Sequence, residues 1–181
     1  VIDDTDLLYN GMYPLPPDFW EAATSELESW QQNGHTYYRI TSPLCSHWMI
    51  NQCVYQDGDQ PFLARVTAIQ NHTATLETLK DYSHQKNNVW GITARNREQN
   101  IALNLLMNPE VDFVSLLGQA GTGKTLLTLA AALEQTINQK LFSEIIMTRV
   151  TVPVGEDIGF LPGTEEEKMA PWMGALEDNL E

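Results

Sequence analysis

A glycine-rich stretch at residues 118–125 limits what this chain can fold into more than any other feature. Its sequence is Gly118-Gln119-Ala120-Gly121-Thr122-Gly123-Lys124-Thr125. This string fits the phosphate-binding P-loop pattern G-x-x-x-x-G-K-[ST] at every fixed position. An apolar run typical of a strand precedes it at residues 111–117, and a helical run follows at residues 124–138. The stretch and its two flanks predict a P-loop between a strand and a helix.

The residue types in this loop are suited to holding a nucleoside triphosphate. Glycines allow backbone N–H groups to approach phosphate oxygens closely, and the N-terminus of the following helix favours negative charge. Lys124 can reach the outer phosphates, and Thr125 can bind Mg²⁺ through its hydroxyl. We therefore expect ATP and Mg²⁺ as ligands and Lys124 and Thr125 as the catalytic residues. The expected ligand contacts in the loop are Gly118, Gly121, Thr122, Gly123, Lys124, Thr125 and Leu126.

The segment around the loop has the pattern of an α/β domain. We expect a helix capped by Thr93 and ended by Asn108-Pro109, then the strand at 111–117, the P-loop with its helix, and a second strand at 144–149. This order implies a parallel sheet with a right-handed crossover. A capping box, Thr164 to Glu167, predicts the start of a further helix, and residues 176–181 also have a helical pattern.

The part of the chain before residue 89 divides into two regions. We interpret residues 1–35 as a linker followed by an amphipathic helix at 18–32, because apolar residues recur there at spacings of three and four. We interpret residues 36–88 as a small antiparallel β-rich domain with strands at 36–41, 48–56, 62–69 and 74–79. Such a domain can be a packing or oligomerisation platform, or a nucleic-acid module using Arg65. Residues 89–181 form the third region.

Composition restricts the partners and the compartment. The net charge of −14 argues against a long nucleic-acid track, so any such contact is expected to be local. No apolar run reaches the roughly 20 residues that cross a membrane, and the N-terminus lacks the pattern of a secretory signal. Cys45 and Cys53 are expected to be reduced, and the four histidines lack metal-site spacing. We expect a cytoplasmic protein.

The position of the P-loop suggests that part of an ATPase lies outside this chain. A P-loop ATPase needs an acid that helps to hold Mg²⁺. The predicted strand at 144–149 ends in Arg149 instead, and Glu156-Asp157 follows a loop. We expect the catalytic acid and any arginine finger to lie outside these 181 residues.

Three groups of motifs in this sequence resemble the PhoH-like P-loop ATPases. They are ARNREQ at residues 94–99, the P-loop at 118–125, and DIGFLPG at 157–163 followed by EEEKMAPW at 165–172. The resemblance covers residues 89–181. Before it, Asp3-Asp4 and residues 8–11 look like the linker of the longer members, in which a PIN ribonuclease domain comes first.

The resemblance implies functions that the residue pattern alone does not give. Gln99 would read adenine, because an amide both donates and accepts hydrogen bonds. By the same resemblance, Arg149 lies where related helicases touch nucleic acid, and it could equally sense the γ-phosphate or make a structural ion pair. The whole protein would be an ATP-driven RNA helicase or ribonuclease, with RNA as a partner and a possible homo-oligomeric ring. This chain by itself would bind ATP and Mg²⁺ and hydrolyse ATP poorly.

Two other functions fit the P-loop. One is a small-molecule or nucleotide kinase, whose phosphate loop has the same form; however, the loop lies far from the N-terminus and no arginine-rich lid follows it. The other is a non-catalytic module in which nucleotide binding only shapes an interaction surface. Phosphate transfer to an acceptor would indicate the kinase, and turnover with RNA would indicate the ATPase.

Overall fold

A computed structural model describes residues 9–23 and 27–149 of the chain. It divides into two compact units, Val1–Lys80 and Asp81–Glu181. The motifs at 157–172, the capping box at Thr164 and the helix at 176–181 lie outside the described residues, as does Glu156-Asp157.

The first unit is built on a six-stranded mixed sheet in which β1 and β2 form the two edges, in the order β1-β4-β5-β6-β3-β2. β1 runs parallel to β4, and the other neighbours are antiparallel. A helix, α1 (Phe19–Ala23), and a 3₁₀ turn, Pro43–His47, complete the described elements of this unit. The strands are β1 (Met12–Pro14), β2 (Leu27–Gln32), β3 (His35–Thr41), β4 (Cys53–Gln56), β5 (Phe62–Gln70) and β6 (Thr73–Thr78).

One face of this sheet carries the hydrophobic core of the first unit. Alternate residues of the inner strands, such as Ile40, Val66 and Leu76, are fully buried there. Phe19 of α1 and Trp48 pack against them. Alternation of this kind is expected of a sheet whose second face is polar. β5 carries a register shift between Val66 and Ala68, which interrupts the pairing with β6.

The predicted helix at 18–32 is wrong for Leu27–Gln32, which form strand β2. The turn that follows β2 explains the difference. Asn33 and Gly34 have φ values of 53° and 81°, the left-handed pair of a tight hairpin, and they bring Trp30 onto Tyr37 with an interplanar angle of 10°. The strand predicted at 48–56 is shortened to Cys53–Gln56. The other three predicted strands are present, with ends within one residue of those expected.

The second unit contains two helices that pack together. These are α2 (Arg97–Met107) and α3 (Lys124–Leu133), and α3 continues into a π-helical turn, Glu134–Asn138. Leu103 of α2 and Ala130 of α3 are fully buried in the same cluster. The predicted cap of the first helix is wrong, since Asn96 and not Thr93 accepts the hydrogen bond from the helix, at the Gln99 N–H. Asn96 directly precedes the first helical residue, and asparagine is among the preferred residues at that position.

Neither strand predicted beside the P-loop is formed. Residues 111–117 and 144–149 have no regular structure and no strand partner among the described residues. Phe113 and Leu117 are 85% and 92% exposed. A strand requires a hydrogen-bonded neighbour, and apolar sequence alone does not supply one. The α/β class is confirmed by the mixed sheet and helices, whereas the parallel pairing predicted between the strands at 111–117 and 144–149 is not seen in the described part. No helix in that part has the length and apolar character required to cross a bilayer.

Candidate functional site

The glycine-rich loop makes its turn through two residues in the left-handed region. Gly121 and Gly123 have φ values of 81° and 87°, which other residues adopt at a cost. Gly123 is also the N-cap of α3. Gly118 lies so close to the turn that a Cβ there would be 3.3 Å from the Thr122 hydroxyl oxygen. Gly121 and Gly123 therefore permit the left-handed backbone of the turn, and Gly118 permits the close approach of the start of the loop to Thr122.

The ammonium group of Lys124 lies inside this turn. Its Nζ donates to the carbonyl oxygens of Gly118 and Gln119, both at 2.6 Å. It also lies 3.3 Å from the Thr122 hydroxyl, which itself donates to the Gln119 carbonyl at 2.9 Å. The loop thus surrounds the cation with neutral oxygen acceptors. Phosphate oxygens would be stronger acceptors for the same group, because a cation is attracted more strongly by a negatively charged oxygen than by a neutral carbonyl.

A cavity of about 710 Å³ opens beside the loop. Its volume falls within the range of pockets that hold small ligands. Its wall is shared by residues 120–127, which include the P-loop lysine, and by several residues that precede or begin α2. The lining residues are Gln85, Gly91, Ile92, Thr93, Arg95, Gln99, Ala120, Gly121, Thr122, Gly123, Lys124, Thr125, Leu126 and Leu127.

The structure brings together most of the residues expected at the site. Gln99, Gly121, Thr122, Gly123, Lys124, Thr125 and Leu126 all line the cavity. Gly118 is not in the lining but is bonded to the Lys124 ammonium through its carbonyl. The Thr125 hydroxyl has no hydrogen-bond partner among the described residues, and the residue is exposed. It is therefore open to a ligand.

Gln99 connects the start of α2 with the P-loop. Its Oε1 accepts from the Arg95 backbone N–H at 2.8 Å, and its Nε2 donates to the Thr122 carbonyl at 3.1 Å. Asn96 accepts from the Gln99 N–H at 2.9 Å. These contacts place the amide at the wall of the cavity, between the helix cap and the loop.

The sequence reasoning missed the cavity wall formed by Gln85, Gly91, Ile92 and Thr93. Trp90 and Gly91 have φ values of 49° and 79°, and the Val89 and Ile92 backbones exchange two hydrogen bonds of 2.9 Å across them. This is the geometry of a tight hairpin turn with two left-handed residues. A tryptophan is rare in that region of backbone space. The dipeptide Trp90-Gly91 gave too weak a signal for a turn, since asparagine or aspartate normally comes first.

Two cations considered for nucleic-acid contact are not part of this site. Arg149 does not line the cavity. Arg65 of the first unit is 5% exposed and donates to Glu77 and Asn51. A buried and paired guanidinium is not available to a phosphate backbone, so the suggestion of a nucleic-acid surface using Arg65 is wrong. In the described part of the chain, no group of three or more His, Cys, Asp or Glu residues could hold a metal ion.

Comparison with known proteins identifies the family. A family model described as PhoH-like protein matches residues 91–181, half of the chain. Protein PhoH2 of Bacillus subtilis (strain 168) is 46% identical over 113 residues, which are 62% of this chain and 25% of that protein. Protein PhoH2 of Thermobispora bispora is 47% identical over 93 residues, 51% of this chain and 21% of that protein.

A third relative matches over a shorter stretch at a similar identity. The PhoH-like protein of Mycobacterium leprae is 47% identical over 64 residues, 35% of this chain and 18% of that protein. No solved structure matches. The matched part of this chain spans a quarter or less of the length of each of these relatives. Because the family model covers half of the sequence and includes the P-loop, the chain belongs to the PhoH-like protein family.

Proposed function

We propose that this chain binds ATP with Mg²⁺ in the cavity beside residues 118–125. The observation that carries the proposal is the position of Lys124, whose ammonium lies within the turn and at the cavity wall. This group is bonded to two backbone carbonyls and approaches one hydroxyl. A triphosphate would replace these neutral acceptors with charged oxygens, which favours binding.

The remaining contacts of ATP can be assigned to lining residues. Backbone N–H groups of the loop and of the first turn of α3 would bind the phosphates. Mg²⁺ would be held by the Thr125 hydroxyl, which has no hydrogen-bond partner among the described residues. Gln99 would read adenine. Its amide can make four hydrogen bonds and makes two within the protein, which leaves one donor and one acceptor for the edge of the base.

For the whole protein we propose an ATPase that acts in RNA processing. ATP binding is general in the family to which the chain belongs, and the motifs at 94–99 and 118–125 support that assignment. RNA unwinding or cleavage, a role for Arg149 in nucleic-acid contact, a homo-oligomeric ring and a cytoplasmic location rest on the resemblance alone. In the sequence, the segment 144–149 ends in Arg149 rather than in an acid, and on that ground we propose weak hydrolysis by this chain by itself.

A titration with a fluorescent ATP analogue and Mg²⁺ tests the binding proposal. The chain should bind the analogue, and Lys124→Ala should weaken binding about 10-fold to 100-fold, the range for losing a charged hydrogen-bond donor. Lys140→Ala is the matched control, because Lys140 is exposed and does not line the cavity. No binding by the unmodified chain, or equal losses in both variants, would overturn the proposal. Transfer of phosphate to an acceptor would indicate a kinase instead.

A further inference from the structure

Gln99 has its amide orientation fixed by two hydrogen bonds of opposite sense. The Arg95 backbone N–H can only donate, so the atom it meets at 2.8 Å is the amide oxygen. The Thr122 carbonyl can only accept, so the atom 3.1 Å from it is the amide nitrogen. The network therefore determines which way the side chain faces. The oxygen serves the helix start and the nitrogen serves the P-loop.

The first of these bonds belongs to the cap of α2. Asn96 accepts from the Gln99 N–H, and Gln99 reaches back to the N–H of the residue before the cap. This reciprocal pair is a variant of the capping box, in which the third helical residue bonds back to the helix start. The cap fixes the Gln99 side chain at the start of α2. The bond from its amide nitrogen to the Thr122 carbonyl therefore links the loop to this helix.

The second bond meets the loop at the residue that also contacts Lys124. The Thr122 carbonyl accepts from Gln99, while the Thr122 hydroxyl donates to Gln119 and lies 3.3 Å from the lysine ammonium. A shift of the Thr122 peptide would move both groups. Gln99 is thus two contacts away from the group that would meet the outer phosphates.

The loop is shaped to allow this contact. A Cβ at Gly123 would lie 3.2 Å from the Gln99 amide nitrogen, which is tighter than ordinary van der Waals contact. Gly123 therefore provides space for the Gln99 side chain, in addition to the left-handed backbone of the turn. The left-handed backbone alone would favour glycine at position 123. The closeness of the Gln99 amide is a second and independent reason for glycine there.

We propose that Gln99 is a positioning residue for the P-loop, in addition to contacting the base. It holds the Thr122 peptide from α2, and through that peptide it keeps the loop in the form that surrounds Lys124. The inference rests on the proposed function, because it assumes that the cavity takes a nucleoside triphosphate. One side chain then joins base recognition to phosphate binding, and its loss weakens the binding of a phosphate chain that carries no base.

Inorganic tripolyphosphate with Mg²⁺ is the probe that separates the two roles. We compare the affinities of ATP and of tripolyphosphate by calorimetry in the unmodified chain, in Gln99→Met and in the control Gln139→Met. Methionine keeps the length of the side chain and removes the amide. Gln139 is exposed, lies outside the cavity, and bonds to Glu134 through its backbone N–H, which methionine retains.

The expected result is a loss of tripolyphosphate affinity in Gln99→Met of about threefold to tenfold, the range for one neutral hydrogen bond. ATP affinity should fall further, because the base contact is lost as well, and Gln139→Met should match the unmodified chain. A Gln99→Met chain that loses ATP affinity but binds tripolyphosphate normally would overturn the inference while leaving the proposed function in place. An unmodified chain that binds neither ligand would overturn the proposed function.

Hydrogen exchange tests, without any ligand, whether Gln99 stabilises the P-loop. In Gln99→Met, amide exchange should become faster in residues 119–124 and stay unchanged in β5, because local opening reports local stability. Equal exchange at the loop would overturn the inference. Faster exchange throughout the chain would also overturn it, since that pattern indicates a general loss of stability rather than release of the loop.

Discussion

The guanidinium of Arg65 donates to the Glu77 carboxylate at 2.9 Å on the face of the sheet opposite the hydrophobic core. Arg65 is 5% exposed, and its other terminal nitrogen donates to Asn51 at 2.7 Å. The second carboxylate oxygen of Glu77 lies 3.1 Å from His35. A charge is thus buried in the first unit and is balanced by an acid on the neighbouring strand.

Glu77→Gln is expected to lower the free energy of unfolding by about 2–3 kcal/mol. Removing one partner of a buried pair leaves an uncompensated charge, although Glu77 is partly exposed and glutamine still offers Arg65 an acceptor. Glu28→Gln is the control, because it breaks the exposed Glu28–Arg39 pair of the same sheet and should cost under about 0.5 kcal/mol. Urea denaturation of both variants measures the difference. Equal costs would contradict the assignment of Arg65 as a buried charge.

Gly123→Ala should weaken both ATP binding and the fold. Alanine in the left-handed region costs about 1–2 kcal/mol, and its Cβ would press on the Gln99 amide. We expect at least a tenfold loss of affinity in the nucleotide titration. Gly11→Ala should change neither binding nor stability appreciably, because no atom lies within 4 Å of a Cβ there and its φ is not left-handed. Normal ATP binding by Gly123→Ala would show that the turn tolerates side chains.

Both cysteines should resist thiol reagents in the native chain. Burial raises the pKa of the Cys53 thiol to about 12, although the nearby Arg65 charge acts to lower it. Burial also raises the pKa of Cys45. At pH 8 only about one Cys53 in ten thousand would be a thiolate, the reactive form. An Ellman assay should find no fast-reacting thiol before denaturation and two after it, and a fast-reacting thiol in the folded chain would contradict this burial.

Ser83→Ala should raise the pKa of Asp81. The hydrogen bond from the Ser83 hydroxyl, followed by that from its backbone N–H, holds the pKa of this carboxyl below its usual value. The variant keeps the second bond, so the rise should be partial. A lowered pKa stabilises the fold above the ordinary aspartate value of about 3.9, and this contribution is lost as the pH falls through the folded value. Carboxyl ¹³C titration measures the midpoint, and an unchanged midpoint in Ser83→Ala would contradict this assignment.

The loop could be predicted from sequence because its chemistry is local. The spacing of Gly118, Gly123 and Lys124 specifies a backbone path without reference to distant residues, and the helix that follows ends within the turn Glu134–Asn138, as expected. The placement of Gln99 beside Thr122 could not be predicted in this way. It depends on how α2 packs against α3, which is a tertiary relationship.

In β2, two local patterns in the sequence favour different structures. Leu27 and Trp30 fit a helical spacing, but Asn33-Gly34 is among the strongest short signals for a hairpin, and it would have predicted a strand before the turn. β1 had no comparable signal. Its three residues pair with Cys53, Val54 and Tyr55, far along the chain, so no local pattern reveals them.

Because β1 pairs in parallel with β4, it cannot join the sheet when it is made and must wait for a later strand. The Cys53 N–H donates to Gly11, and the Leu15 N–H donates to Tyr55, so the first described strand is joined to the sheet only through a later one. A ribosome adding about 5–20 residues per second completes β4 roughly 2–8 s after β1. β2 and β3 are adjacent in the chain and can pair during that interval. The first of the described strands to be made therefore cannot take its place in the sheet until β4 has been made.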